Sequence, residues 1–218
     1  DEIDLEPGDI AYIDNGTYAL SSEVTIDLFD AGESNQPVVL QGVSNGVGRT
    51  VLDRQTDSGS AIRFFQTKGV ELRDLSVMNG KQGVTIEQST DCRLTRVISQ
   101  DNSTTGFDIN ESERTIMRHS VSFNNPSNGV LVRAGTFPST LQADGLVVWG
   151  STYAVHMGNL ASASFSNCSF SVAGGESRIF LSQNTAGPIL SDYNHFHRTS
   201  SALVAEKINV NAGNDIYG

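Results

Sequence analysis

Arg63, Thr85, Asp108, Leu131, His156, Phe180 and Val204 follow one another at intervals of 22 to 25 residues, flanked by Glu87, Asn110 and Arg133. Four of them could do chemistry together: Arg63, Asp108, Arg133 and His156. A guanidinium can neutralise the carboxylate of an acidic sugar, and an imidazole or guanidinium can withdraw the neighbouring proton. These four are the candidate catalytic set. Asp108 with Glu87 or Glu111 also offers two carboxylates at the roughly 5 to 10 Å separation that glycoside hydrolysis uses. The competing reading is a solvated strand face of mixed charge, which needs no chemistry at all.

Aromatic rings suggest a second kind of site. Trp149 is the single tryptophan, and with Tyr153, His156 and Phe180 it would make a shallow platform on which pyranose rings stack. The alternative is a local apolar patch under a loop. No cofactor follows from the sequence. Calcium is the metal that the loop carboxylates would suit, at Asp27 with Asp30 or at Asp53 with Asp57, although no EF-hand or Asp-repeat motif is present. Turn acids are the plainer reading. Glycosylation sequons stand at Asn15, Asn102, Asn110 and Asn167.

A residue column at such spacing needs a repeat to position it. Rungs of about 23 residues start at Ala61, Gly83, Gly106, Gly129, Ala154, Arg178 and Ala202. Each start leads into alternating apolar residues: Ile62 and Phe64, Val84 and Ile86, Phe107 and Ile109, Val130 and Val132, Val155 and Met157, Ile179 and Leu181, Leu203 and Ala205. Period two means strand, with these residues inward. A second strand some ten residues later in each rung presents Leu72, Leu75 and Val77, then Leu94 and Val97, Ile116 and Val121, Leu146 and Val148, Phe165, Cys168 and Phe170, and Leu190 and Tyr193. His119 and His195 fall in these inward columns too. A corner column of Asn79, Asn102, Asn125, Gly150 and Gly174 favours left-handed backbone and stacked asparagines, and Arg198 breaks it.

No dozen residues sustain a helical apolar stripe, so strands 23 residues apart must pair in parallel between rungs. The fold class is all-β, a right-handed parallel β-helix over residues 1–218, with irregular opening rungs in 1–60 and regular rungs in 61–218. The unfinished ends suggest a piece of a larger protein. Cys92 and Cys168 are 76 residues apart in sequence, about three rungs or roughly 14 Å, which is too far for a disulfide, so both read as buried hydrophobes.

Net charge bounds the partners. With 25 acidic against 14 basic residues the formal charge is −11, which repels nucleic acid, anionic membrane surfaces and polyanionic sugars. No run of about 18 apolar residues could insert in a membrane.

The run Pro7-Gly8-Asp9 with Tyr12-Ile13-Asp14 and Gly16-Thr17-Tyr18, then Val38-Val39-Leu40-Gln41-Gly42, Val51-Leu52-Asp53, the repeated Gly-Val/Phe-x-Ile rungs and Ser191-Asp192-Tyr193-Asn194, resembles the right-handed parallel β-helix proteins of the pectate-lyase-like superfamily. The resemblance implies an extracellular or cell-surface location, a polysaccharide or glycan partner and a groove along the outer side of one sheet. None of the family's catalytic segments is found, so no catalytic residue carries over. The preferred reading is a carbohydrate-binding or adhesive module of a secreted or cell-surface protein. A polysaccharide lyase acting on the outward face of one sheet, and a structural spacer, are the alternatives. Oligomeric state is not readable.

Overall fold

The computed structural model describes residues 4–43, 48–172, 177–182, 187–198, 203–206, 210–212 and 216–217. Among these, three all-parallel sheets run side by side along a solenoid axis. The first holds Ile10–Tyr12, Val38–Gln41, Val70–Arg73, Arg93–Thr95, Thr115–Arg118, Ser139–Asp144, Ala161–Ser166, Ile189–Asp192 and Val210–Ala212. The second holds Gly16–Ala19, Thr50–Asp53, Leu75–Met78, Ile98–Gln100, Val121–Phe123, Val147–Trp149, Ser169–Val172, His195–Arg198 and Ile216–Tyr217. The third holds Val24–Ile26, Ser60–Phe65, Gln82–Glu87, Thr105–Asn110, Asn128–Arg133, Tyr153–Met157, Arg178–Ser182 and Leu203–Glu206. The only helix among the described residues is a 3-10 turn, Leu28–Asp30, capped by the Asp27 carboxylate.

Each rung therefore carries three strands where the sequence pattern suggests two. The region read as one second strand bends in its middle at Asp74, Arg96, His119, Gly145, Asn167 and Tyr193, all in the left-handed region with φ between 49° and 66°. One such residue turns the chain while leaving its neighbours extended. The interval between inward residues then becomes three, and period two fails there. Leu72 with Leu75 and Leu94 with Val97 are buried as expected. In later rungs the inward residues are Met117 with Ser120, then Ile189, Ser191 and Asn194. Ile116, Val121, Leu190 and Tyr193 are not buried inward, and His119 and His195 are exposed.

The third sheet keeps the expected register from Ile62 through Val84, Phe107, Val130 and Val155. It then slips. Val155 pairs with Phe180 and Met157 with Ser182, so the rung start falls at Ile179, not Arg178. A one-residue slip exchanges the two faces of a strand. Phe180 is accordingly 1% exposed, and its ring packs against Phe165, Phe170 and Phe196 at 5.3–5.6 Å. Gly174 and Ala202 lie outside the described residues, and Arg198 sits in a strand paired with Val172.

The corner between the second and third sheets carries the asparagines, with Asn79 and Gly150 left-handed as expected and Asn102 and Asn125 each one place after the left-handed residue. Its left-handed residues are Asn79, Asp101, Asn124 and Gly150. The buried ladder uses the residue after each: Asn102 Oδ1 accepts from the Gly80 amide at 3.1 Å, and Asn125 Oδ1 accepts from the Asn102 amide at 3.0 Å and from Asn102 Nδ2 at 2.9 Å. Gly83 and Gly106 face this ladder so closely that a Cβ would meet Ser99 Oγ at 1.9 Å and Ser122 Oγ at 2.2 Å. Asn102 is thus no glycan acceptor. Both cysteines are free and buried, and burial pushes their thiols up, Cys92 to about 12 and Cys168 to about 11.

Candidate functional site

The four residues of the candidate catalytic set do share the outer face of the third sheet, but Arg133 and Asp108 close on each other and Arg63 closes on Glu87 and Glu23. Arg63 donates through Nε to Glu87 at 3.0 Å, lies 3.7 Å from Glu23, and covers the Phe65 ring at 4.3 Å. Arg133 grips the buried Asp108 carboxylate with Nε and Nη2 at 3.0 and 2.9 Å, a bond that raises the guanidinium's own pKa. His156 stands two rungs from Asp108, with Leu131 between them in the register, roughly 10 Å at ordinary strand spacing. Its Nδ1 lies 3.2 Å from Asn128 Oδ1, and burial lowers its pKa, so it is neutral at pH 7. Asp108 and Glu87 each serve an arginine; Glu111 belongs to the next corner.

The aromatic platform is not assembled either. Phe180 is inside the core. Trp149, 56% exposed, lies on the outer face of the second sheet with its ring 4.9 Å from Phe123. Tyr153 and His156 lie around the corner on the third sheet, ring centroids 5.6 Å apart. Three of the four proposed calcium acids accept hydrogen bonds: Asp27 from the Phe29 amide, Asp30 from the Leu5 amide, and Asp53 from the Gln55 amide and Asn79 Nδ2. Among the described residues no group of three or more His, Cys, Asp or Glu converges on a metal position.

The outer face of the first sheet is different. A cleft of about 480 Å³ crosses it, floored by Ile116 and Leu190 with Gln142 and Ser164 between them and Arg93 and Arg114 at its side. Its outward residues arise from two columns of the strand register. One runs Glu71, Arg93, Ile116, Gln142, Ser164, Leu190; the other runs Arg73, Thr95, Arg118, Asp144, Ser166. Three guanidiniums on this face, of Arg73, Arg93 and Arg118, have no carboxylate within ion-pair distance among the described residues. Arg73 donates to Gln41 Oε1 at 3.0 and 2.7 Å, and Arg93 donates to the Ser34 carbonyl at 2.8 Å.

At the entrance side of the strands Arg114 is pinned by Asp91, Nε to Oδ1 at 2.7 Å and Nη2 to Oδ2 at 3.0 Å. That bond, against some burial, holds the Asp91 carboxyl at about 2. At the exit side Asp144 accepts from Asn167 Nδ2 at 2.8 Å and Ser166 Oγ at 3.1 Å, and these donors lower its pKa. The exposed His119 follows Arg118 at the adjoining bend. The face thus offers apolar floor, amide and hydroxyl groups, and guanidiniums in no salt bridge among the described residues, with Asp144 beside Arg118 lowered in pKa partly by that charge.

Reasoning from the sequence missed this cleft because its arginines sit beside the left-handed bends, where alternation fails. A recurrent signal was present: an apolar residue, a polar residue and the bend residue, as in Leu72-Arg73-Asp74, Leu94-Thr95-Arg96, Met117-Arg118-His119 and Ala143-Asp144-Gly145. Aligning these four triplets would have placed Arg73, Thr95, Arg118 and Asp144 in one outward column.

Three parallel sheets along one axis and an asparagine ladder define the class: a parallel β-helix. Residues 11–145 match the family described as right handed beta helix region, and the chain belongs to that family. No curated protein matches it significantly in sequence. Its fold is similar to an alginate lyase from Paenibacillus sp. str. FPU-7, with TM-score 0.68 and 14% identity over 97% of this chain and 92% of that one. It is also similar to the pectate lyase Pel9A, TM-score 0.61 and 12% identity over 97% and 72% of the two chains. A rhamnogalacturonan lyase has TM-score 0.55 and 12% identity over 96% and 80%. At such identities the likeness is one of fold. Among the described residues no helix is long and apolar enough to cross a membrane.

Proposed function

We propose that this chain is a carbohydrate-binding β-helix module, extracellular or on a cell surface, that holds an acidic polysaccharide along the outer face of its first sheet. The observation that carries the reading is the set of three guanidiniums, Arg73, Arg93 and Arg118, that form no salt bridge among the described residues on the face that holds the open cleft, Arg118 standing next to Asp144, in a protein of charge −11. A cation kept unpaired in an acidic protein is available to an anion from outside. Arg73 and Arg118 lie two rungs apart, roughly 10 Å, which suits successive carboxylates on an extended chain. The third-sheet residues Arg63, Asp108, Arg133 and His156 serve this reading less well, since both arginines are held by carboxylates of the same face, Arg63 by Glu87 and Arg133 by Asp108.

Affinity electrophoresis through gels containing polyuronate or neutral glucan tests the proposal, with wild type beside Arg93→Ala and Arg118→Ala, with and without calcium. Retardation by polyuronate that weakens in both variants supports it; equal mobility in every gel removes it. A second reading, lyase action on the same face, is favoured by the fold likeness to the alginate lyase and by exposed His119 next to Arg118, a base beside a carboxylate-neutralising cation. Unsaturated products absorbing in the near ultraviolet and lost in His119→Ala would establish it.

A further inference from the structure

The corner after the third sheet differs from the other two. Its left-handed residues Gln66, Gln88 and Glu111 (φ 53°, 50° and 49°) stack their side chains into a ladder of their own. Gln66 Nε2 donates to Gln88 Oε1 at 2.9 Å, and Gln88 Nε2 donates to Glu111 Oε2 at 2.9 Å. The ladder ends there on a carboxylate.

Beyond Glu111 the chain makes a longer excursion. Arg133 reaches the inward Leu141 eight positions on, whereas its partner Asn110 reaches Thr115 in five. The extra residues project as Gly135-Thr136-Phe137-Pro138. The free oxygen of Glu111 accepts the Thr136 amide, and the Phe137 amide also donates to this carboxylate. With Gln88 the largest contributor, these donors hold the Glu111 carboxyl below its usual range, so the clamp persists at neutral pH. Gly135 passes so close that a Cβ there would stand 2.1 Å from Glu111 Oε1. A side chain there would have to push the end of the Glu111 carboxylate aside.

The clamp leaves Phe137 59% exposed at the rim of a cavity of about 500 Å³ lined also by Gln66, Gln88, Ser89, Thr90 and Glu113. A fixed aromatic face next to amide, hydroxyl and carboxylate groups is the combination that takes a sugar ring, its C–H face on the phenyl and its hydroxyls on the polar wall. The charged residues in the lining are Glu111 and Glu113, both acidic although Arg114 stands 3.6 Å from Glu113, and an acidic lining disfavours a uronate. From this geometry we infer that the corner is a second carbohydrate site, specific for an uncharged pyranose. It adjoins the first-sheet cleft, because Thr90 Oγ1 accepts from Arg114 Nη2 at 2.7 Å and Arg114 lines the cleft. An acidic polysaccharide with neutral side groups would occupy both, a clause that rests on the proposed function.

The test is a titration of protein labelled with 13C-phenylalanine, read in aromatic spectra, with cellotetraose, mannotetraose, galactotetraose and a tetra-uronate. The Phe137 resonance is assigned by its loss in Phe137→Ala. A neutral tetrasaccharide is expected to move it, and its affinity is expected to fall roughly three- to tenfold in Phe137→Ala, the range of one aromatic contact. The inference is overturned if no neutral tetrasaccharide moves that resonance, or if Phe137→Ala binds them unchanged. Ser164→Trp, which fills the first-sheet cleft, separates the two sites. Neutral binding that survives it supports a second site, and neutral binding lost with it overturns one, whatever becomes of uronate binding.

Discussion

Asn125→Ala removes the centre of the asparagine ladder, and its cost can be worked from the bonds lost. Asn125 is fully buried. Its Oδ1 accepts from the Asn102 amide and side chain at 3.0 and 2.9 Å, and its Nδ2 donates to the Ser99 carbonyl and Ser122 Oγ at 3.0 Å each. Four bonds at a net of roughly 1 kcal/mol each give about 4 kcal/mol, with the Asn102 amide left unsatisfied in the interior among the losses. The neighbour Asn124 provides the control: it is exposed, left-handed at φ 55°, and bonded to Asp101 at 2.6 Å. Asn124→Ala should cost about 1 kcal/mol, mainly the left-handed penalty of a residue with Cβ. Urea unfolding followed by Trp149 fluorescence reads the same corner, since that indole packs on Phe123, and far-UV circular dichroism checks that the transitions coincide. If Asn125→Ala costs no more than Asn124→Ala, the rung-to-rung ladder is not what holds this corner.

Other perturbations follow from the register and from burial. Phe180→Ala should destabilise by about 3–5 kcal/mol through a cavity among Phe165, Phe170 and Phe196 while leaving glycan retardation unchanged; lost retardation at native stability would restore an outward Phe180. Burial lowers the His156 pKa, so below the unfolded value the unfolded state binds the proton more readily. Wild type should therefore lose stability relative to His156→Gln as pH falls from about 7.5 to 5.5, starting near the free histidine value of about 6.5, and parallel pH curves would contradict this. Cys92 and Cys168, with thiols pushed to about 12 and about 11, should resist a thiol reagent in the native protein and react fully once it is unfolded; fast native labelling would be inconsistent with their burial.

Fold and site differ in how far the sequence reveals them. The third sheet was legible because Ile62, Val84, Phe107, Val130 and Val155 alternate with outward residues over five rungs without interruption. It stopped being legible at Phe180, where one extra residue in the preceding connection exchanged inside for outside. The first and second sheets blurred together because single left-handed residues at Asp74, Arg96 and His119 bend the chain without a glycine or proline to announce it. Nor does spacing reveal which arginine is already paired. Arg133 and Arg118 look equivalent in sequence, yet Arg133 closes a salt bridge on Asp108 while Arg118 meets Asp144 only at longer range.

The cleft on the first sheet is the centre of this account, and calorimetric titration of a tetra-uronate into wild type and Ser164→Trp tests it most directly. Ser164 lies between Gln142 and Leu190 in the register, so an indole there fills the floor without touching the core. The account predicts binding by wild type and none by the variant, with both melting at the same temperature. Equal affinity in the two proteins would place any acidic-glycan site elsewhere and contradict it.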